Sequence, residues 1–137
     1  MALVDTTVWI DLLRGSETPA VSTLRRLLTE GRAITAPVIV QEILQGASSP
    51  ASLKRLREHF HSLPIVEPAA RGVTHANAAE LYARSRWQGI TPRSPHDCLI
   101  AQLAIEHDLP LLHDDRDFEA LARVDARLRM VALAPSP

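Results

Sequence analysis

Short apolar segments next to acidic residues are the feature of this sequence that most restricts its fold. Residues 2–4 (ALV) lead directly into Asp5, and Leu111-Leu112 comes just before an acidic run at 114–117. Segments this short do not form amphipathic helices, and helical patterns lie between them. Strands that alternate with helices form a mostly parallel sheet with helices on both faces. We therefore predict a three-layer α/β domain.

The predicted elements alternate along the whole chain, with no internal repeat and no second domain. Strands are predicted over residues 2–5, 33–36, 64–67, 109–112 and 128–133. Helices are predicted over 6–14 and 19–30, from residue 37 through Glu42 and Leu44, within 48–63, and over 68–87, 95–107 and 115–123. Several of these helices are bounded by Pro near the start or Gly at the end. We predict one domain over residues 1–137, with a frayed tail at 134–137.

The composition indicates a globular protein but does not identify its binding partner. The 137 residues are 46% hydrophobic and carry a net charge of −1, which suits a globular domain and leaves nucleic-acid binding open. Cys98 is the only cysteine, so neither an internal disulfide nor a cysteine-based metal site can form. The chain has no signal-peptide pattern and no apolar run near the ~20 residues of a membrane span. We expect a cytoplasmic protein that does not enter a membrane.

Acidic residues lie beside the predicted buried elements, where a soluble domain rarely tolerates them unless they are paired or bind a cation. They are Asp5, Glu42, Asp97 and the group Asp114, Asp115 and Asp117. Ligands of α/β proteins sit outside the carboxyl ends of the parallel strands. If the strands share one sheet, the acids converge on a single anionic pocket.

Each acid taken singly has a structural alternative, which is helix capping for most of them and a solvated helix position for Glu42. Asp5 could cap the helix after the first strand, and Asp97 could close a capping box that begins at Ser94. Capping requires one acid per helix, however, whereas the run at 114–117 supplies three. Glu42 is predicted to lie in the middle of a helix, where it cannot cap. Several ionised carboxylates at close range repel one another unless a cation lies among them, so we favour a metal site.

The ligand chemistry indicates Mg²⁺, with Mn²⁺ as the alternative. The candidate ligands are hard carboxylate oxygens, without cysteine and without histidines at ligand spacing, which disfavours zinc. Mg²⁺ held by a few carboxylates usually meets its substrate through phosphate. The predicted chemistry is therefore metal-assisted hydrolysis of a phosphodiester, with one or two ions.

Four patches of the sequence also match a known family in order and spacing. They are residues 3–10 (LVDTTVWI), 40–43 (VQEI), 96–101 (HDCLIA) and 115–118 (DRDF). Together they resemble the PIN-domain ribonucleases, and among these the VapC toxins of bacterial toxin–antitoxin pairs. The resemblance spans nearly the whole chain. It implies a Rossmann-like sheet and Mg²⁺- or Mn²⁺-dependent endoribonuclease activity on RNA.

The resemblance also implies residue roles and partners. Matched by position, the catalytic acids would be Asp5, Glu42, Asp97 and Asp115, of which Asp5, Asp97 and Asp115 would hold the metal. Thr7 and Asp117 would support them. Family members commonly form homodimers and are silenced by a VapB-type antitoxin. The chain departs from the family pattern at position 113, where His113 replaces the usual Ser or Thr, and Asp114 is an additional acid that we expect to be solvated.

Arginines near the predicted pocket are candidates for contacts with RNA phosphates. They are Arg14, Arg93 and Arg116. A solvated helix face or an intramolecular ion pair explains each of them as well as RNA binding does. His96 is next to Asp97, but adjacent helical residues point in different directions, so we favour a surface or capping role for it.

Three other functions remain open at this stage. A receiver-like module that accepts phosphate would need a late lysine, whereas the only lysine is Lys54. An inert binding module would have no reason to keep all the acids. A PIN nuclease that processes RNA without being a toxin differs from the favoured interpretation only in lacking an antitoxin.

Overall fold

The computed structural model describes residues 1–133 and contains a small parallel sheet. Its strands are β1 (Ala2–Val4), β2 (Ala33–Ile34) and β3 (Leu111–Leu112), in the order β2-β1-β3. Leu3 of β1 pairs with Ile34 on one side and with Leu111 on the other. All the residues of these strands are buried, which explains their continuous apolar character. The parallel sheet confirms the predicted α/β class.

Seven helices lie in the described part of the chain. They are α1 (Thr6–Leu13), α2 (Pro19–Thr29), α3 (Pro37–Leu44), α4 (Pro50–His61), α5 (Val73–Trp87), α6 (Pro95–Glu106) and α7 (Arg116–Val124). Four of them begin with proline, whose fixed φ suits the first helical position. The side chains of Thr18, Ser49 and Ser94 cap α2, α4 and α6. These starts were predicted from the sequence.

The helices pack in two groups that α3 and α6 connect. Helix α1 contacts α2 and α3, α3 also contacts α4, and α5, α6 and α7 all contact one another. Among the described residues, the aromatic pair with the shortest centroid distance is Trp9 of α1 and Phe60 of α4, whose rings lie 4.9 Å apart in an edge-on arrangement. Both rings are almost fully buried and belong to the same core cluster as the strands. The packing of α4 thus holds α1 against the sheet.

Several predicted elements differ from the structure. The strands predicted at 33–36 and 109–112 shorten to the two residues of β2 and of β3. The strand predicted at 64–67 is reduced to one parallel bridge between Ile65 and Thr35, and the strand predicted at 128–133 to one between Met130 and Leu111. The helix predicted from residue 68 starts at Val73, because Gly72 has a φ of +70° that no helix interior allows. The predicted tail at 134–137 lies outside the described residues.

The described helices include none that is both long enough and apolar enough to cross a membrane.

Candidate active site

The carboxyl ends of β1 and β3 bring the first acid and the acidic run together. Asp5 follows β1 directly, and its backbone N–H donates to the carbonyl of Leu112 at the end of β3 over 2.9 Å. Because the two strands are parallel neighbours, the residues that follow them lie at the same edge of the sheet. The convergence predicted from the sequence therefore occurs for these two patches.

Asp5 is a buried carboxylate held by its own helix. It is only 2% exposed, and its Oδ2 accepts hydrogen bonds from the backbone N–H of Thr7 at 3.2 Å and from the Thr7 hydroxyl at 2.6 Å. Burial raises the pKa of Asp5 to about 6, because desolvation disfavours the charged form more than these hydrogen bonds favour it. Asp5 thus caps α1 and also carries a carboxylate that is poorly neutralised.

Glu42 approaches the same region from α3, and a residue that the sequence analysis did not single out orients it. The hydroxyl of Thr6 donates to Glu42 Oε1 over 3.0 Å, and Nδ1 of His96 lies 3.8 Å from Oε2. The charge on Glu42 adds to the effect of burial in raising the pKa of Asp5. Thr6 could have been noticed because it adjoins Asp5, but its partner is 36 residues away and only the fold reveals it.

Asp97 lies in the first turn of α6 and is surrounded by the other acids. Its partial burial, followed by the charges on Asp5, Asp115, Asp117 and Glu42, raises its pKa to about 7. The capping-box alternative does not hold, because the Asp97 carboxylate makes no hydrogen bond within residues 1–133. The cap of α6 is the Ser94 hydroxyl, which accepts a hydrogen bond from the backbone N–H of His96. Asp97 is therefore free to bind a ligand.

Asp115 and Asp117 complete a compact group of oxygens. Asp115 caps α7, with its Oδ1 accepting from the backbone N–H of Asp117 over 2.9 Å. Asp97, Asp115 and Asp117 each offer one oxygen within 4.8 Å of the other two, the one such potential metal-ligand group among the described residues. The metal ligands predicted from the sequence were Asp5, Asp97 and Asp115, with Asp117 in a supporting role. In the structure Asp117, rather than Asp5, joins Asp97 and Asp115 in the group of closely spaced oxygens. Three hard oxygens at this spacing fit Mg²⁺ or Mn²⁺.

The predicted RNA-contacting arginines differ in their surroundings. Arg93 donates from its guanidinium to Asp115 Oδ1 over 2.9 Å and to Asp117 Oδ2 over 3.3 Å. Arg14 and Arg116 are exposed and make no ion pair within residues 1–133. The ion-pair alternative thus applies to Arg93, whereas Arg14 and Arg116 are solvated at the rim.

His113 has a local role that the sequence left open. Its Nδ1 accepts a hydrogen bond from the backbone N–H of Asp115 over 3.1 Å, and its ring lies against Phe118 with centroids 5.4 Å apart. Burial lowers the pKa of His113, which favours the neutral ring that this acceptor role requires. His113 therefore orders the turn before α7, while Asp114 is exposed, as predicted.

A groove of about 860 Å³ runs beside the acidic cluster between α1, α3 and α4. Its walls include Leu13, Ile43 and Leu56, and Arg14 and Arg55 also line it. Glu42 belongs to this lining as well as to the acidic site. A chain bound in the groove would therefore reach Glu42.

Comparison with known proteins gives a consistent result. The family model described as PIN domain matches residues 2–124. The chain is 36% identical to VapC ribonuclease Mb1587 of Mycobacterium bovis and to ribonuclease VapC11 of Mycobacterium tuberculosis. Each alignment covers 90% of this chain and 93% of the relative.

Solved structures share the fold at low sequence identity. A structure of VapBC2 from Rickettsia felis bound to a promoter DNA fragment matches with a TM-score of 0.74 and 16% identity, over 97% of this chain and 98% of that one. A FitAB structure bound to the IR36 DNA fragment matches with a TM-score of 0.73 and 20% identity, over 96% and 94% of the two chains.

Proposed function

The chain belongs to the PIN-domain family, and we propose that it is a metal-dependent endoribonuclease, the toxin of a type II toxin–antitoxin pair. The observation that carries the proposal is the group of acids around Asp97 at the carboxyl edge of the parallel sheet. The two mycobacterial relatives are named as VapC ribonucleases and align along nearly their whole length. The proposed substrate is RNA.

The proposed metal ligands are Asp97, Asp115 and Asp117, with Asp5 beside them. A Mg²⁺ or Mn²⁺ ion in this position would neutralise charge on the scissile phosphate and make a water molecule a better nucleophile. The donor set supports this assignment because every candidate atom is a carboxylate oxygen. One of these ligands, Asp97, has a pKa raised to about 7 by burial and by its acidic neighbours. Cation binding would hold these groups ionised.

The protein's own residues would orient the reactants. Thr7 fixes one oxygen of Asp5, and Thr6 fixes one oxygen of Glu42, so that the remaining oxygens have defined directions. In the proposed reaction the oxygen of water bonds to phosphorus and one P–O ester bond breaks, which leaves a phosphate on one fragment and a hydroxyl on the other. Arg14, Arg93 and Arg116 would contact the RNA backbone.

The proposed protein partner is a VapB-type antitoxin. The apolar groove between α1, α3 and α4 provides a surface for a partner segment, and Glu42 in its lining connects that surface to the acids. A segment in the groove could therefore block RNA from the site. Co-purification with the product of a small adjacent gene, together with loss of cleavage in the complex, tests this assignment. Active protein without such a partner would favour an RNA-processing nuclease.

We also propose a cytoplasmic location and a homodimer. Light scattering on the purified protein measures the molecular mass directly, and a mass near 15.1 kDa would contradict the dimer.

Cleavage of labelled single-stranded RNA tests the proposed activity. Antitoxin-free protein is incubated with Mg²⁺, Mn²⁺ or EDTA, beside the variants Asp97→Asn and Asp108→Asn. We expect metal-dependent cleavage that Asp97→Asn abolishes and Asp108→Asn preserves. Asp108 is a suitable control because it is exposed, lies away from the acids and has a φ of 51°, which asparagine adopts easily.

Absence of both cleavage and metal binding would contradict the proposal and favour an inert α/β module. Calorimetric titration with Mn²⁺ provides the binding measurement. Phosphorylation by acetyl phosphate would instead indicate the receiver-like alternative.

A further inference from the structure

Arg93 is bound to the acidic cluster through three hydrogen bonds. Its backbone N–H donates to Asp117 Oδ2 over 3.2 Å, its Nε donates to the same oxygen over 3.3 Å, and a terminal guanidinium nitrogen donates to Asp115 Oδ1 over 2.9 Å. In the described part of the chain, Arg93 is the one arginine or lysine paired with Asp97, Asp115 or Asp117. The guanidinium therefore provides the local positive charge for these acids.

The pairing leaves the metal-ligand group only partly satisfied. Arg93 occupies one oxygen of Asp115 and one of Asp117, and it makes no bond to Asp97. One guanidinium is thus too little charge for three carboxylates within 4.8 Å of one another.

The guanidinium can leave without disturbing the fold. The Arg93 side chain is 77% exposed and lies in the segment between α5 and α6. The backbone hydrogen bond to Asp117 anchors that segment independently of the side chain. The Asp115 and Asp117 carboxylates are 12% and 23% exposed, but solvent surrounds the arginine and screens the pair, so a divalent ion can compete with it.

We propose that Arg93 is an exchangeable counter-ion of the acidic site, which pairs with Asp115 and Asp117 in the metal-free protein and is released by a divalent cation to bind RNA phosphate. This inference rests on the proposed nuclease function. Arginine suits both states, because its planar fork binds carboxylate and phosphate in the same bidentate manner. The released side chain would remain next to the metal, where the scissile phosphate must lie.

Metal affinity is the first test, because the proposal predicts that removing the arginine improves it. Calorimetric titration with Mn²⁺ is carried out on the wild type, Arg93→Gln, Arg93→Ala and the control Arg129→Ala. Arg129 forms an ion pair with Asp108 at the same distance of 2.9 Å, away from the site, and both of its partners are exposed. We expect the Kd of both Arg93 variants to fall about twofold to fivefold, the range for an exposed ion pair that no longer has to be broken, with Arg129→Ala unchanged.

A second readout follows the side chain itself. The ¹⁵N–¹H signal of Arg93 Nε is assigned by its disappearance in Arg93→Lys and followed during Mg²⁺ titration. We expect the signal to move towards that of a solvated arginine as the site saturates, since the bond to Asp117 is lost. A signal that stays fixed up to saturation would overturn the proposal.

The RNA half of the proposal predicts an effect of opposite sign. At saturating Mn²⁺, Arg93→Gln should raise the KM for RNA severalfold and change kcat little, although the same variant binds the metal more tightly. An arginine that only braced the two acids would instead weaken metal binding when removed.

The outcomes separate this inference from the function on which it rests. If the wild type binds Mn²⁺ and cleaves RNA but the Arg93 variants bind Mn²⁺ no more tightly, the counter-ion role is wrong and the nuclease stands. If the KM is unchanged in Arg93→Gln, release to RNA is wrong. A wild type that binds no Mn²⁺ overturns both proposals.

Discussion

The two ends of the acidic site deal with negative charge in different ways. At the end of β1, Asp5 is almost fully buried, receives hydrogen bonds from Thr7 and has no cationic partner among the described residues. At the start of α7, Asp115 and Asp117 are more accessible and share the guanidinium of Arg93. At the first end burial favours the protonated carboxyl and raises its pKa, whereas at the second end an arginine pairs with the ionised carboxylates.

This difference follows from the position of the strands. The central strand β1 has neighbours on both sides, so the residue that follows it is enclosed by the helices packed around the sheet. The acidic run follows β3 and is approached by the exposed segment before α6, which carries Arg93. Binding of a divalent ion should therefore release a proton at one end and an arginine at the other.

Neutralising the buried end should give the largest effect. In Asp5→Asn the amide oxygen can still cap α1, but the negative charge is lost. We expect RNA cleavage to fall by more than about 100-fold, beyond the usual effect of a residue that only supports a metal ligand. The metal-free variant should nevertheless be more stable than the wild type above pH 7. Cleavage assays and urea unfolding measure the two effects, and Asp108→Asn is the control.

The stability of the metal-free protein should fall as the pH rises. A folded-state pKa of about 6 for Asp5, against an ordinary value of 3.8, means that the folded state binds the proton more tightly. The proton on Asp5 stabilises the folded state fully below pH 4, and this stabilisation is lost as the pH rises through 6. For a pKa shift of this size, the free energy of unfolding falls by roughly 3 kcal/mol. Asp97 adds an effect of the same sign that extends through about pH 7.

Unfolding between pH 4 and 8 in EDTA measures this slope. Other groups also titrate in this range, and His113, whose pKa is lowered, contributes with the opposite sign. The informative quantity is therefore the difference in the slope of unfolding free energy against pH between the wild type and a variant that combines Asp5→Asn with Asp97→Asn. Saturating Mg²⁺ should abolish the difference in slope, and an identical slope in both proteins without metal would contradict the assigned cause.

Neutralising the exposed end should give the smallest change in stability. Asp117→Asn loses an ion pair whose arginine is surrounded by solvent, and solvent screening limits what that pair contributes to folding. We expect a small decrease in Tm for the metal-free protein, in contrast to the increase for Asp5→Asn. Differential scanning calorimetry at pH 7.5 compares the two variants, and a clear increase for Asp117→Asn would remove the distinction between the two ends.

Local sequence signals were sufficient for most elements but failed where a strand depends on one partner. The helix starts at Pro19, Pro50 and Pro95 follow from a capping hydroxyl and a proline, which act within one turn. Residues 64–67 are apolar enough for a strand, yet only Ile65 pairs with the sheet. Pairing is a property of two segments, so the sequence of one segment cannot fix its extent.

The sequence by itself determined the candidate acids, their donor chemistry and the resemblance to PIN-domain ribonucleases, since these depend on residue type and order. The fold then decided which groups touch. Thr6 with Glu42, Arg93 with the acids of α7, and Asp117 beside Asp97 are all contacts across 20 or more residues. Residues so far apart in the sequence come into contact only through the parallel sheet and the packing of separate helices, so the tertiary structure decided these contacts.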